Sequence, residues 1–205
     1  MALQIDRKKT ALLVMDVEND IVHKDGAAGG PMGFAAEVER RGTLTNIRKI
    51  LDKARATGMT VLYVEVMFDL GKREELPKRG DFPKRLGDMW GKAVQKGTWG
   101  GEIHEDVKPL PDEQRIGKWI VSSFSRSKLD AVLKEKGITD LILTGVATNM
   151  VVEATARDAF DRGYSLVIVE DGVASFSPEA HEFALDILRM FADVASTDEV
   201  VRAIG

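Results

Sequence analysis

The sequence contains no cysteine among its 205 residues. It can therefore form no disulfide and no thiolate metal site, and any chemistry that it performs must do without a thiolate. Histidine is also scarce, and the three histidines, His23, His104 and His181, do not have the spacing that is typical of metal ligands. We therefore expect no bound metal and no cofactor.

Long apolar runs and strong charge are missing as well. No apolar run approaches the roughly 20 residues that a membrane span needs, and the first residues do not resemble the apolar core of a signal peptide. The net charge is −4 and is spread without long blocks of one sign. This composition favours neither nucleic acid nor an anionic membrane as a partner, so we expect a cytoplasmic protein that binds a small molecule.

Apolar runs and helical patterns alternate along the whole chain. Strands are predicted at 10–17, 59–66, 119–121, 140–145, 165–169 and around 194. Helices are predicted at 37–56, 128–136, 149–162 and 178–191, with a last helix capped by Ser196 or Thr197. Apolar strands that are each followed by a helix indicate an α/β fold, a three-layer α/β/α sandwich with a mostly parallel central sheet.

The chain length suits a single domain, 1–205, with one irregular segment. Residues 67–108 show little periodicity and include Phe68, Phe82, Trp90 and Trp99. A long irregular segment inside a domain is typically functional or disordered, and the aromatic residues favour order. We predict that 67–108 forms a lid or a contact between subunits.

Polar residues occur in three segments near predicted strands, and ligands of parallel sheets bind at the carboxyl ends of the strands. They are Asp16, which precedes Glu18-Asn19-Asp20, then Lys118, and the Gly145-Val-Ala-Thr148 turn. Each also has an ordinary structural explanation. An aspartate can cap a turn, a lysine can lie at a solvated edge, and a glycine-containing turn can simply join a strand to a helix.

A resemblance to a known family favours the functional explanation. The stretch 141–159, LILTGVATNMVVEATARDA, closely resembles the signature of the isochorismatase-like (cysteine hydrolase) superfamily. Asp16 with its following triplet, and the Lys-x-x-x-Ser-x-Phe pattern that begins at Lys118, match the family in the same order. The resemblance runs from about residue 10 to 201. It implies the isochorismatase-like hydrolase fold and a homo-oligomer.

The resemblance also implies roles for individual residues. Asp16 would act as a general acid or base against Lys118, and a cis peptide between Val146 and Ala147 would help form an oxyanion hole. Val151 stands where most members have the nucleophilic cysteine. The implied substrate and oxyanion contacts are Val146, Ala147, Thr148, Met150, Glu18, Asn19, Phe68 and Trp99. Glu18 replaces a commoner glutamine and adds a charge, and residues 66–71 lack the histidines with which nicotinamidases of the superfamily bind a metal.

Three hypotheses about function follow. The first is a hydrolase that uses Asp16 and Lys118 for acid–base chemistry on a C–N or ether bond without a cysteine nucleophile, as isochorismatases cleave a vinyl ether. The second is an impaired amidase or ureide hydrolase that binds a small amide or carbonyl ligand, which the amide-cleaving character of the sequence around Val151 favours. The third is a deliberately introduced valine, or a protein that acts mainly as an oligomeric partner. Of these we expect an enzyme.

Overall fold

A six-stranded parallel sheet forms the centre of the molecule. The computed structural model describes residues 3–205, apart from the side chain of Asp69. The strands are β1 (Thr10–Met15), β2 (Thr60–Val66), β3 (Gln114–Lys118), β4 (Asp140–Val146), β5 (Ser165–Ala174) and β6 (Asp193–Ala195). They lie in the order β3-β2-β1-β4-β5-β6, and every neighbouring pair is parallel.

The central strand β1 is buried at every position. Leu12 and Val14 pack into the apolar core on one face of the sheet, and Leu13 and Met15 pack into the core on the other. Because successive side chains of a strand point to opposite faces, a strand covered on both sides is apolar throughout. The structure thus confirms the predicted three-layer α/β/α sandwich.

Eight α-helices accompany the sheet within the described residues. They are α1 (Asn19–Val22), α2 (Phe34–Arg41), α3 (Thr43–Ala56), α4 (Asp81–Met89), α5 (Leu129–Glu135), α6 (Glu153–Asp161), α7 (Pro178–Leu188) and α8 (Thr197–Ile204). Helices α2, α3 and α8 contribute to one core, and α5, α6 and α7 to the other. Ser196 caps α8 as predicted, in a reciprocal capping box with Glu199.

Several predicted elements were wrong in their bounds, and the strand predicted at 165–169 extends to Ala174. The helix predicted at 37–56 is two helices, because Gly42 adopts a left-handed conformation (φ 63°) and ends α2 there. The strand predicted at 119–121 lies instead at Gln114–Lys118. The apolar side chain of Trp119 packs against the segment 67–108 and does not belong to the sheet.

The segment 67–108 is folded into α4 and several single 3₁₀ turns. It has a small apolar cluster of its own, in which the rings of Phe68 and Trp90 stack with centroids 4.9 Å apart. Asp20 links the segment 67–108 to the sheet edge, because Oδ2 of Asp20 accepts a hydrogen bond from the backbone N–H of Val94 at 2.7 Å. Its role as a lid or a subunit contact stays a prediction.

No helix within residues 3–205 is long and apolar enough to cross a membrane.

Candidate active site

Asp16 and Lys118 form a buried ion pair at the carboxyl edge of the sheet. Asp16 follows β1, Lys118 ends β3, and Oδ2 of the aspartate lies 2.9 Å from Nζ of the lysine. The ammonium also donates to the carbonyl of Ile120 at 2.6 Å. Asp16 has a positive φ of 51°, which is uncommon for a residue with a side chain. Its backbone is held there by a hydrogen bond from its N–H to Val64.

The protonation of Asp16 is balanced between opposing effects. Burial raises its pKa, the ion pair with Lys118 lowers it, and the nearby Glu65 raises it, with a result of about 6. Its Oδ1 is buried and has no hydrogen-bond partner among the described residues. The carboxyl group can therefore take up and release a proton near neutral pH, at an oxygen that no protein group occupies.

A second buried carboxyl group lies beside this pair. Oε1 of Glu18 accepts a hydrogen bond from the backbone N–H of Val66 at 2.7 Å, whereas Oε2 is buried with no partner among the described side chains and backbone. Burial, followed by the charges of Asp16 and Glu65, raises the pKa of Glu18 well above its usual value. Glu65 itself forms a bidentate pair with Arg115, at 2.6 and 2.8 Å. The raised pKa of Glu18 disfavours the charge that this residue would otherwise add to the site.

The connection from β4 to α6 forms another wall of the site. It contains the cis peptide between Val146 and Ala147 and continues into a π-helical turn at Thr148–Val152. The turn is held from behind by His181, whose Nδ1 lies 2.9 Å from Oγ1 of Thr148. Val151 lies in this turn and is 1% exposed. The helix predicted to begin at 149 thus begins with one wider turn.

A cavity of about 80 Å³ lies between this turn and the segment 67–108. The space suits a small molecule, because it exceeds the volume that a single water molecule needs. The wall is mostly apolar. It consists of Asp16, Ile21, Ala28, Met32, Phe34, Val66, Phe68, Phe82, Arg85, Leu86, Met89, Val94, Ile120, Val121, Val146, Ala147, Met150 and Val151.

Most of the residues singled out in the sequence come together here. Asp16, Val151, Val146, Ala147, Met150 and Phe68 line the cavity, and Lys118 reaches it through its pair with Asp16. Glu18, Asn19 and Thr148 are buried beside the cavity without lining it.

Trp99 lies outside the cavity, and its aromatic character was a misleading signal. Its side chain is 54% exposed and packs edge-on against His23. Its carbonyl group is what contacts the site region, because it accepts a hydrogen bond from Nδ2 of Asn19 at 2.7 Å.

Sequence reasoning missed the contribution of α4. Four of its residues, Phe82, Arg85, Leu86 and Met89, line the cavity at the i, i+3, i+4, i+7 spacing of one helix face. That spacing was the available signal, but Pro83 and Gly87 interrupt the pattern. Among the side chains of residues 3–205 other than Asp69, no group of three or more His, Asp or Glu is placed to hold a metal ion.

The comparison with known sequences identifies the family. Residues 10–199 match the family model of the Isochorismatase domain. The chain belongs to the isochorismatase family. Among relatives in this family, the ureidoacrylate amidohydrolase RutB of Caulobacter vibrioides is 33% identical, over 99% of this chain and 94% of that protein.

Solved structures of related proteins share the isochorismatase-like fold. A cysteine hydrolase from Pseudomonas syringae pv. phaseolicola superposes with a TM-score of 0.80 at 24% identity, over 98% of this chain and 95% of that one. An N-carbamoylsarcosine amidase from Thermoplasma acidophilum superposes with a TM-score of 0.70 at 26% identity, over 93% and 97%. The predicted fold class and family are confirmed.

Proposed function

We propose that this member of the isochorismatase family hydrolyses a small molecule by acid–base chemistry of Asp16 and Lys118, without a cysteine nucleophile. The observation that carries the proposal is the state of the aspartate. Asp16 lines the cavity, its Oδ2 is held by Lys118, and its Oδ1 has no partner among the described residues. The unpartnered oxygen is the one available to a substrate.

The chemistry that suits such a site is proton transfer to a substrate that then adds water. With a vinyl ether, the Asp16 carboxyl group donates its proton to the terminal alkene carbon, which leaves an oxocarbenium ion. Water adds to the carbon that bears the ether oxygen and returns a proton to the carboxylate. The hemiketal then breaks its C–O bond to give a ketone and an alcohol. Lys118 stabilises the carboxylate between the two transfers, and general acid–base help of this kind contributes roughly 10²–10⁴-fold in rate.

Val151 supports a mechanism without a covalent intermediate. It is buried on the cavity wall, at the position to which the sequence resemblance assigns the nucleophile. A valine side chain has no atom that can attack carbon, so no acyl-enzyme forms there. What remains around it is a carboxyl group, an ammonium group and the peptide groups at Val146 and Ala147. These can stabilise developing charge at about 10²–10³-fold in rate.

A second candidate is a protein that binds an amide or ureide with little or no turnover. It is favoured by the relatives, whose names describe an amidohydrolase of ureidoacrylate and an amidase of N-carbamoylsarcosine. On this view the cavity keeps the ligand-binding walls of an amide-cleaving ancestor, and Val151 removes the step that cleaves the bond.

The experiment compares four proteins on one substrate panel of amides, ureides and isochorismate. These are the wild type, Asp16→Asn, Val151→Cys and Val152→Cys. Val152 is the matched control, because it is equally buried in the same turn but does not line the cavity. We expect the wild type to turn over isochorismate, which is the enol ether of the panel. The rate should fall about 10²-fold or more in Asp16→Asn. Val151→Cys should create or raise amidase activity, and Val152→Cys should not.

Two results would decide against the acid–base hydrolase. Equal inertness of the wild type and all variants across the panel would leave the ligand-binding protein as the better account. Wild-type activity that is unchanged in Asp16→Asn would place the chemistry elsewhere.

We also propose that the protein is a homo-oligomer. Phe183 and Met190 are 69% and 78% exposed, although both are large and apolar. Phe183 lies on α7 and Met190 in the turn that follows it, and exposed apolar patches commonly mark association surfaces. Light scattering at micromolar concentration should give at least a dimer, and a monomer would contradict the proposal.

A further inference from the structure

The π-helical turn before α6 has two sides, and only one of them faces the cavity. Val151 lines the cavity, whereas Thr148 and Asn149 do not. Oγ1 of Thr148 lies 2.9 Å from Nδ1 of His181 on α7. Oγ of Ser175, just after β5, donates a hydrogen bond to Oδ1 of Asn149 at 2.6 Å. Two side-chain hydrogen bonds behind the turn therefore fix the direction in which its front faces.

The bond between His181 and Thr148 joins two fully buried groups. Burial, followed by the charge of Arg41, lowers the pKa of His181 to about 4, so the ring is neutral at pH 7. Its Nε2 lies 3.9 Å from the carboxylate of Glu182, which favours the proton on that nitrogen. Nδ1 is then the acceptor, and the Thr148 hydroxyl donates to it. The hydroxyl has no other partner among the described residues, so loss of this acceptor would leave it buried and unsatisfied.

We propose that His181 is a positioning residue, which acts through Thr148 to set the direction of the backbone N–H groups at the start of the turn. The first N–H groups of a helical segment have no acceptor within it and carry a partial positive charge. Thr148 is the first residue of the turn, so a hydrogen bond there orients the turn where these groups begin. The use of these groups to stabilise developing charge in turnover rests on the proposed function.

The test places a single thiol in the turn as a reporter, by Val151→Cys in a chain that has no other cysteine. The pKa of this thiol is measured from the pH dependence of its alkylation by iodoacetamide, followed by mass spectrometry. His181→Asn, His181→Gln, Thr148→Val and Thr155→Val are each added to the reporter. The Asn amide occupies the place of Nδ1, whereas the Gln amide occupies that of Nε2. Thr155→Val is the matched control, because Oγ1 of Thr155 is equally buried and donates to Oγ of Ser123 at 2.9 Å, away from α7.

We expect the thiol pKa of Val151→Cys to lie below the usual value of about 8.5, because nearby N–H groups and Lys118 favour the thiolate. His181→Asn should keep this pKa, since it keeps an acceptor for Thr148. His181→Gln and Thr148→Val should each raise it by about one unit, a tenfold loss of thiolate at a given pH.

Urea unfolding of the same variants separates this effect from a loss of stability. Thr155→Val should lose stability as Thr148→Val does, but its thiol pKa should not change. Three results would overturn the proposal: an unchanged pKa in His181→Gln or Thr148→Val, a rise in His181→Asn as large as in His181→Gln, or an equal rise in Thr155→Val. Thr148→Val breaks the bond from the other side, so it decides the matter if a His181 variant does not fold.

The thiol pKa is independent of turnover. A pKa that depends on His181, in a protein whose wild type turns over nothing on the panel, would support the positioning role and overturn the acid–base hydrolase. Wild-type turnover that falls in Asp16→Asn, together with a thiol pKa that is insensitive to His181, would do the reverse.

Discussion

Nζ of Lys118 lies 2.9 Å from Oδ2 of Asp16, across the width of the intervening strand β2. The contact exists because β1 and β3 are parallel and end at the same edge of the sheet, where Asp16 begins the loop and Lys118 ends the strand. Both groups are buried, so each is the main compensation for the other's lost hydration.

A variant that lacks one partner of this ion pair should therefore be less stable than a variant that lacks both. Lys118→Met leaves a buried carboxylate without its cation, and we expect a loss of about 3–5 kcal/mol in the free energy of unfolding at pH 7. The double variant Asp16→Asn/Lys118→Met should regain much of that loss, because no charge remains to be desolvated. Urea unfolding of the two single variants and the double variant measures this as a double-mutant cycle. Additive losses would show that the two residues do not depend on each other.

Replacement of Glu18 should stabilise the protein at neutral pH. Its folded-state pKa is raised above the usual 4.5, so the unfolded chain loses this proton at a lower pH than the folded protein. The free energy of unfolding contributed by Glu18 therefore falls as the pH rises above about 4.5 and through the folded pKa. Glu18→Gln removes that decline and preserves an acceptor for the N–H of Val66. Thermal unfolding from pH 4 to pH 8 should show a flatter profile in the variant. A variant that is less stable than the wild type at pH 8 would contradict this.

His181 should act in the opposite direction. Burial, followed by the charge of Arg41, lowers its pKa from 6.5 to about 4. In this range the unfolded chain binds more protons than the folded protein, so stability is lost as the pH falls from about 6.5 to 4. The contribution is roughly 3 kcal/mol. His181→Gln should flatten the stability profile in that window. Equal slopes in the wild type and His181→Gln would show that other groups dominate.

The pH dependence of turnover follows from the acid role proposed for Asp16. Because the group must be protonated to donate, kcat/KM on an enol ether should fall as the pH rises through its pKa of about 6. Stopped assays between pH 5 and pH 8 measure this, with Asp16→Asn as the reference for background hydrolysis. A rate that instead rises through pH 6 would mean that Asp16 acts as a base.

Gly145 should tolerate no side chain, whereas Gly58 should tolerate alanine at a moderate loss. Both have positive φ, of 123° and 67°, but a Cβ at Gly145 would overlap the carbonyl oxygen of Met15, while the space around Gly58 is open. We expect Gly58→Ala to lose about 1–2 kcal/mol from backbone conformation alone, and Gly145→Ala to lose clearly more. Urea unfolding of the two variants separates overlap from conformation, and equal losses would contradict the close approach of β4 to β1.

The sequence by itself determined the absence of thiol chemistry, the fold class and the segments that follow β1 and β4 at the sheet edge. These follow from composition and from local patterns, because a strand buried on both faces must be apolar and the end of a strand marks the edge where ligands bind. It also identified Asp16 and Lys118 as partners, through their resemblance to a family rather than through any local signal.

Only the tertiary structure decided which side chains face the cavity and how they are charged. The pKa of Asp16 depends on Lys118 and Glu65, which reach it only through the strand order. The positions of Arg85 at the cavity and of Trp99 outside it depend on how the segment 67–108 folds over the edge. That segment has weak local periodicity, so its conformation is set by contacts with residues far away in the chain. Burial and long-range charge are properties of the assembled fold, and a local pattern carries no information about them.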